Sequence, residues 1–215
     1  MQLRSAGVTV DTHHITTVER LREVVGEPTP GTELKVYDHL NPQSIDFIGR
    51  APFLVMSTAD ASGTADASPK GDAPGFVVVE DERTLVVPDR PGNRLAYGLT
   101  NLLSNPHIGL LFIVPGTKET LRVNGTAELR DDPDLLERLA SRGRPAVLAI
   151  RVRVEECFFH CSKAFIRSKL WDPEAWPEPQ RISFGKMFAE RLGTDDGGLA
   201  DMIDASVEED ARTNL

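Results

Sequence analysis

Two short stretches of this chain gather residue types that hold anions. Ser68-Pro69-Lys70-Gly71-Asp72 offers a hydroxyl and an ammonium, and Asp89-Arg90-Pro91-Gly92-Asn93-Arg94 offers two guanidiniums and an amide just ahead of a leucine-rich segment. If that segment is a helix beginning at Asn93, its first turn adds unpaired backbone N–H groups and a positive dipole end bracketed by Arg90 and Arg94. The chemistry such a set supports is the grip of a phosphate. The other reading is a group of solvated loop charges, and the residues alone leave both open.

A second group lies downstream. Lys163, Arg167 and Trp171 recur every four residues, so a single helix would carry them on one face as a basic ladder ending in an indole. Such a ladder can flank a flat ligand, or it can lie as a surface stripe with its aliphatic stems on the protein. Arg122 sits in an apolar, β-branched run whose side chains alternate between two faces. Its readings are an anion contact and a strand charge facing solvent or a carboxylate. Cys157, His160 and Cys161 look like half of a zinc site, but His13, His14, His39 and His107 are scattered and complete no tetrahedral set, so no metal is expected. A strand would hold the two cysteines about 13 Å apart, too far for a disulfide, and a helix about one turn apart, where a cytoplasmic setting disfavours one. His160 and Cys161 read as packing residues.

The elements that must position these groups are short. Thr16 and Glu19 have capping-box spacing before Val18, Leu21, Val24 and Val25, with Gly26 as terminator, and Asn41-Pro42 opens a second helix. From Pro52 onward the texture changes to brief apolar runs separated by turn residues, the pattern of an antiparallel sheet or barrel. Strands are expected over 53–58, 76–79, 84–87, 108–114, 120–129 and 147–154. A helix over 93–103 is stopped by Asn105-Pro106, and another over 134–142 ends at Gly143. The fold class is therefore mainly β, of the α+β kind. The expected layout is an N-terminal helical extension over 1–50, a core over 51–160, and a helical and irregular C-terminal extension over 161–215, its acidic tail from Asp195 onward left to fray.

Composition narrows the partners. The chain has 215 residues and a net charge of −9, with 33 acidic against 24 basic side chains. That balance argues against nucleic acid or an anionic membrane as partner, and any bound anion must be held by a local cluster. No apolar run approaches the ~18 residues a membrane span requires. The opening MQLRSAGVTVDTHH lacks a secretory pattern, which places the chain in the cytoplasm. Neither a GxSxG elbow, a GxxxxGK[ST] loop nor a strand-linked GxGxxG occurs, so hydrolase, nucleoside triphosphatase and Rossmann readings lack their geometry.

The stretches SPKGDAPGFVVVED, TLVVPDRPGNRLAYGLTNLLSNPHIGLLFIVPG and TLRVNGTAEL resemble the flavin-binding core of the pyridoxamine 5′-phosphate oxidase superfamily, in particular a bacterial branch of FMN-dependent type. HCSKAFIRSKLW, over 160–171, resembles that branch's C-terminal motif. The resemblance implies a six-stranded antiparallel split β-barrel with peripheral helices, a homodimer, and FMN in a groove between subunits. It implies that Lys70, Arg90 and Arg94 hold the FMN phosphate, with Asn93 beside them and Ser68 along the ribityl chain. Arg122 becomes a candidate for the pyrimidine side of the flavin or for the phosphate. Lys163, Arg167 and Trp171 become the second subunit's contribution near the ring.

Three departures matter. Gly92-Asn93-Arg94 stands where the family's oxidases carry Ser-Arg-Lys, Thr120 stands where they carry a flavin-touching glutamine, and no C-terminal Arg-x-His substrate signature is present. Pyridoxamine phosphate is therefore disfavoured as substrate. The implied function is an FMN-dependent oxidoreductase acting on a small-molecule substrate or electron donor that the sequence does not identify, with no catalytic residue assigned. The alternatives are a non-catalytic flavin-, haem- or deazaflavin-binding protein on the same dimeric barrel, and a structural dimer with an empty groove.

Overall fold

The computed structural model describes residues 13–194 and 197–214; Asp195 and the N-terminal residues 1–12, read above for a targeting pattern, lie outside the described residues. The chain divides into two compact units, one ending at Lys35 and one beginning at Val36.

The first unit holds α1 (Val18–Val25) and a 3-10 turn over Thr32–Lys35. The cap of α1 is Thr17, one residue later than the sequence spacing indicates: its Oγ1 accepts from the Arg20 amide at 3.2 Å. Gly26, at φ 81°, ends the helix, a backbone state that glycine adopts without a Cβ clash.

The second unit opens with α2 (Pro42–Arg50), capped by Asn41, whose side chain accepts from the Ser44 amide at 2.9 Å. Seven strands follow among the described residues, not the six expected: β1 (Phe53–Ala59), β2 (Ala65–Gly71), β3 (Val78–Asp81), β4 (Thr84–Asp89), β5 (His107–Ile113), β6 (Thr120–Arg130) and β7 (Leu148–His160). They form one antiparallel sheet in the order β2-β1-β5-β6-β7-β4-β3. The added strand is β2, whose ADASPKG sequence carries no apolar run. It forms through a turn instead. Asp60 accepts from the amides of Ser62 and Thr64 at 2.8 and 2.9 Å, Gly63 takes φ 89°, and the chain returns in unbroken register from Ala59↔Ala65 to Phe53↔Gly71.

The sheet curls. β2 and β4 stand first and sixth in the order, so in a flat sheet five steps of about 4.8 Å would put them about 24 Å apart. Yet Lys70 Nζ of β2 lies 2.5 Å from Asp89 Oδ1 of β4, and Arg90 Nε donates to Asp72 Oδ2 at 2.8 Å just past the same two strand ends. No ladder joins the edge strands β2 and β3 among the described residues, so side chains rather than backbone bonds span the opening. Inside the curve lie alternate residues of β1, β4, β5, β6 and β7, including Leu54, Met56, Leu110, Phe112, Leu121 and Val123, all essentially inaccessible. Phe47 and Ile48 of α2 join this core, with Phe47 edge-on to Phe159 at 5.3 Å between centroids. A smaller cluster of Val86, Leu139, Ala146 and Ala149 lies apart from it.

The helices depart from the sequence reading at their ends. α3 spans Tyr97–Ser104 rather than starting at Asn93, because the Asn93 side chain accepts from the Leu95 amide at 3.0 Å and Arg94 and Ala96 take φ 61° and 54°. α4 is only Pro133–Arg138, and the Arg142 and Gly143 expected at its end instead form a turn. β7 runs on to His160, so the CFFH segment is strand, and Cys161 is exposed rather than packed. α5 covers Lys163–Ser168, α6 Phe184–Leu192 and α7 Gly197–Thr213, the last making a helix of the acidic tail. None of the described helices is long and apolar enough to cross a membrane.

A register shift between Asn124 and Gly125 brings β6 and β7 unusually close. A Cβ at Gly125 would meet the carbonyl oxygen of Arg153 at 1.9 Å, a backbone atom that cannot swing away. Gly125→Ala should therefore destabilise the fold by about 3 kcal/mol or more. Urea unfolding checks this, and a midpoint unchanged from wild type would contradict the close approach.

Candidate functional site

The opening of the sheet is lined by residues from both of its sides. A cleft of about 920 Å³ is bounded by Ser68 and Lys70 of β2, by Asp89 at the end of β4 with Arg90, Asn93 and Arg94 after it, by the start of α3, and by the turn that precedes β7. Five residues singled out in the sequence, Ser68, Lys70, Arg90, Asn93 and Arg94, thus share one cavity. Arg90 and Arg94 precede α3 instead of flanking its first turn, so the helix dipole expected to act between them does not.

The charges in the cleft are of two kinds. Lys70 and Asp89 form a pair whose side chains are only 18 and 14% exposed. Arg90 is bound to Asp72, which also accepts from Ser141 Oγ at 3.0 Å and the Ala73 amide at 2.8 Å. Burial opposes ionisation of Asp72, but the hydrogen bonds from Ala73, Ser141 and Arg90 outweigh it and hold the carboxyl below its usual range. Arg94, by contrast, is exposed and pairs with no carboxylate among the described residues. Two polar atoms of the cleft are buried without a partner: Ser68 Oγ and Arg90 Nη1. Both are donors or potential donors, and an oxyanion would satisfy them.

The other four candidates are not in this chain's own cleft. Arg122, on β6, binds Glu156 of β7 through Nη2 and lies 4.1 Å from the centre of the Phe158 ring, while Asn124 Nδ2 donates to the same Glu156 at 3.1 Å. Lys163 and Arg167 share α5, but Trp171 lies beyond it. Lys169 at φ 51° ends the helix, and the indole turns back to donate to the Thr117 carbonyl at 2.8 Å and stack on Phe165. The expected three-residue ladder is therefore a two-residue one with a separately anchored tryptophan. Cys157 is buried with its thiol donating to Ser44 Oγ at 3.3 Å, and burial pushes that thiol's pKa up. Thr120 is buried too.

Sequence reasoning missed Ser141, Arg142 and Arg144, which also line the cleft. The signal was present in SRGRP: Ser141 and Arg144 exchange two backbone hydrogen bonds of 2.9 Å around Arg142 and Gly143, both at positive φ, the two-residue turn that joins antiparallel strands.

Two outcomes follow from the paired charges. Replacing Lys70 by Met leaves Asp89 buried without its cation and should cost about 2–3 kcal/mol, whereas Lys70→Met with Asp89→Asn should cost less than the single change. Urea unfolding of the four proteins in the cycle measures the coupling, and additive effects would contradict a shielded pair. Because the folded-state pKa of Asp72 is depressed, its stabilisation is complete above the unfolded value near 3.9 and is lost as pH falls through the folded value. The stability gap between wild type and Asp72→Asn should thus be widest above about pH 4 and shrink below it. A gap constant from pH 6 to the acid limit would contradict the assignment.

Comparison with known proteins identifies the family. Among curated protein sequences none matches the chain. Among solved structures, HupZ of Group A Streptococcus is 20% identical over 55% of this chain and 92% of its own, with a TM-score of 0.45. A Lactobacillus delbrueckii protein assigned to the pyridoxamine 5′-phosphate oxidases is 25% identical over 57% of this chain and 95% of its own, at 0.44. General Stress Protein 26 of Bacillus anthracis is 16% identical over 54 and 88%, at 0.42. Residues 40–161, which contain every described strand and the cleft's ion pairs, match the family described as pyridoxamine 5′-phosphate oxidase. With more than half its length matched, this chain belongs to the pyridoxamine 5′-phosphate oxidase family.

Proposed function

We propose that the protein is an FMN-dependent oxidoreductase that works as a homodimer, with the phosphate of the flavin in the cleft at the sheet opening. One observation carries the reading: Ser68 Oγ and Arg90 Nη1 are buried without partners in the cavity that the unpaired Arg94 also lines, across which two ion pairs hold the facing strand ends. Buried donors left open on the two facing sides of the cleft fit an oxyanion better than they fit a structural role.

The geometry supports a division of labour. Arg94 supplies the uncompensated charge. Arg90 presents Nη1 while its Nε is held by Asp72, so the guanidinium is oriented before any ligand arrives. Lys70 is committed to Asp89 and acts by holding the wall of the cavity it lines. Ser68 lies on the same strand for a hydroxyl-bearing chain, and Asn93, whose Oδ1 accepts from Leu95, shapes the loop. A bound flavin supplies the electron transfer, and the protein's part is to hold and orient it. Lys163, Arg167 and Trp171 act on the ring from the second subunit in this reading, which agrees with their place outside the cleft of their own chain. Arg122, with its Nε buried and unpartnered, is the candidate for the pyrimidine edge.

Purified protein should show the two-banded visible spectrum of oxidised flavin, or acquire it on addition of FMN. Arg94→Glu should lose at least about tenfold in FMN affinity with unchanged far-UV circular dichroism, since it sets a carboxylate against the phosphate at a position that makes no structural ion pair. Full FMN occupancy in that variant would overturn the site. A Soret band in place of the flavin bands would overturn the cofactor.

A further inference from the structure

We propose that Arg142 and Arg144 form a second oxyanion subsite in the cleft, for the phosphate or carboxylate group of the small molecule that exchanges electrons with the cofactor. The proposal rests on the flavin reading of the same cleft and names the ligand class that would join the flavin there.

The charge count motivates it. The cleft is lined by five cations, Lys70, Arg90, Arg94, Arg142 and Arg144, and by three carboxylates, Asp66, Asp72 and Asp89. Asp89 and Asp72 are committed to Lys70 and Arg90. What remains is Asp66 against three arginines, a local surplus of positive charge in a chain whose net charge is −9. A phosphate monoester has three free oxygens, and Ser68, Arg90 and Arg94 already offer donors enough for them. Arg142 and Arg144 are surplus to that phosphate, and a cavity of about 920 Å³ is far larger than one phosphate fills.

The turn that carries the pair is built to hold it still. Ser141 and Arg144 close it with two backbone hydrogen bonds, and Ser141 Oγ binds the same Asp72 that orients Arg90. The second subsite is thereby tied through one carboxylate to the first. Arg142 accepts φ 52°, a left-handed state costly for a side chain without a local polar bond, at the tip of the turn. Arg144 Nη1 donates to the Thr213 carbonyl at 3.2 Å, a neutral partner, and among the described residues no carboxylate pairs with it.

The test uses FMN-loaded protein and two probes, inorganic phosphate and succinate, each titrated at constant ionic strength so that screening does not imitate binding. Thermal unfolding is read against probe concentration for wild type and for Arg142→Asn with Arg144→Gln. Asparagine tolerates positive φ, so the turn survives in the variant. The expected result is saturable stabilisation of wild type by one probe, weakened at least about tenfold in the variant, with FMN affinity unchanged. Phosphate or succinate as the effective probe assigns the class. A wild type indifferent to both, or a variant that responds like wild type, overturns the proposal. So does a variant that loses FMN, since the two arginines would then serve the cofactor's own phosphate. If wild type takes up no FMN, the flavin reading fails separately, and the same titration on flavin-free protein still decides whether Arg142 and Arg144 hold an oxyanion.

Discussion

Two ion pairs across the sheet opening fix the geometry on which the rest of the second unit depends. Lys70 to Asp89 and Arg90 to Asp72 join strand ends that a flat sheet would keep about five strand spacings apart, and they do so where no backbone ladder is available. Each pair gives up hydration to be there, and mutual attraction offsets much of that cost only because the partners are held in contact. The consequence is an opening of defined width. Remove either carboxylate and the remaining cation is free but no longer positioned; remove either cation and a shielded carboxylate is left without its counter-charge, Asp72 keeping only the Ser141 and Ala73 hydrogen bonds.

That arrangement divides the cations of the cleft by purpose. Lys70 and Arg90 carry the architecture, and only the unpartnered Arg90 Nη1 points to a further contact. Arg94, Arg142 and Arg144 sit on irregular backbone, two of them at positive φ, and have no carboxylate to neutralise them among the described residues. In a chain of this acidity, charges left uncompensated at one opening create a local field opposed to the global one. Such a field opposes an anion over most of the surface and favours one at this opening.

Much of the fold was legible because it is local. The apolar runs that became β1, β4, β5, β6 and β7 show alternation or β-branching, and Asn41-Pro42 marks α2 with a cap and a first-turn proline. β2 was not legible, since ADASPKG has no apolar face; its strand state comes from the Asp60 turn and from pairing with β1. The start of α3 was misplaced for a related reason: Asn93 looks like a cap, but its side chain closes a tighter bond to Leu95, and two left-handed residues, Arg94 and Ala96, intervene before the helix. The candidate site was half legible. The basic residues near Ser68 and Arg94 share a cavity, but their carboxylate partners lie 18 and 19 positions away in sequence, and no local pattern pairs them. Arg142 and Arg144 were hidden by reading their turn as the end of a helix.

The separation of structural from uncompensated cations has a thermodynamic consequence. An anion that binds only the folded chain stabilises it by RT ln(1 + [L]/Kd), or about 2.7 kcal/mol at a hundredfold excess over Kd. A change at Arg94, Arg142 or Arg144 acts mainly on that ligand term, because no carboxylate among the described residues depends on them and the one structural bond they make is from Arg144 to the Thr213 carbonyl. A change at Lys70 or Asp72 alters the ligand-free fold as well, through the orphaned partner and the relaxed opening, and its effect on affinity is then inseparable from its effect on stability. Affinity and stability should therefore vary independently across the first set of positions and together across the second. The dividing line is whether a side chain is already bonded across the opening, a property of the three-dimensional pairing and of no single residue type.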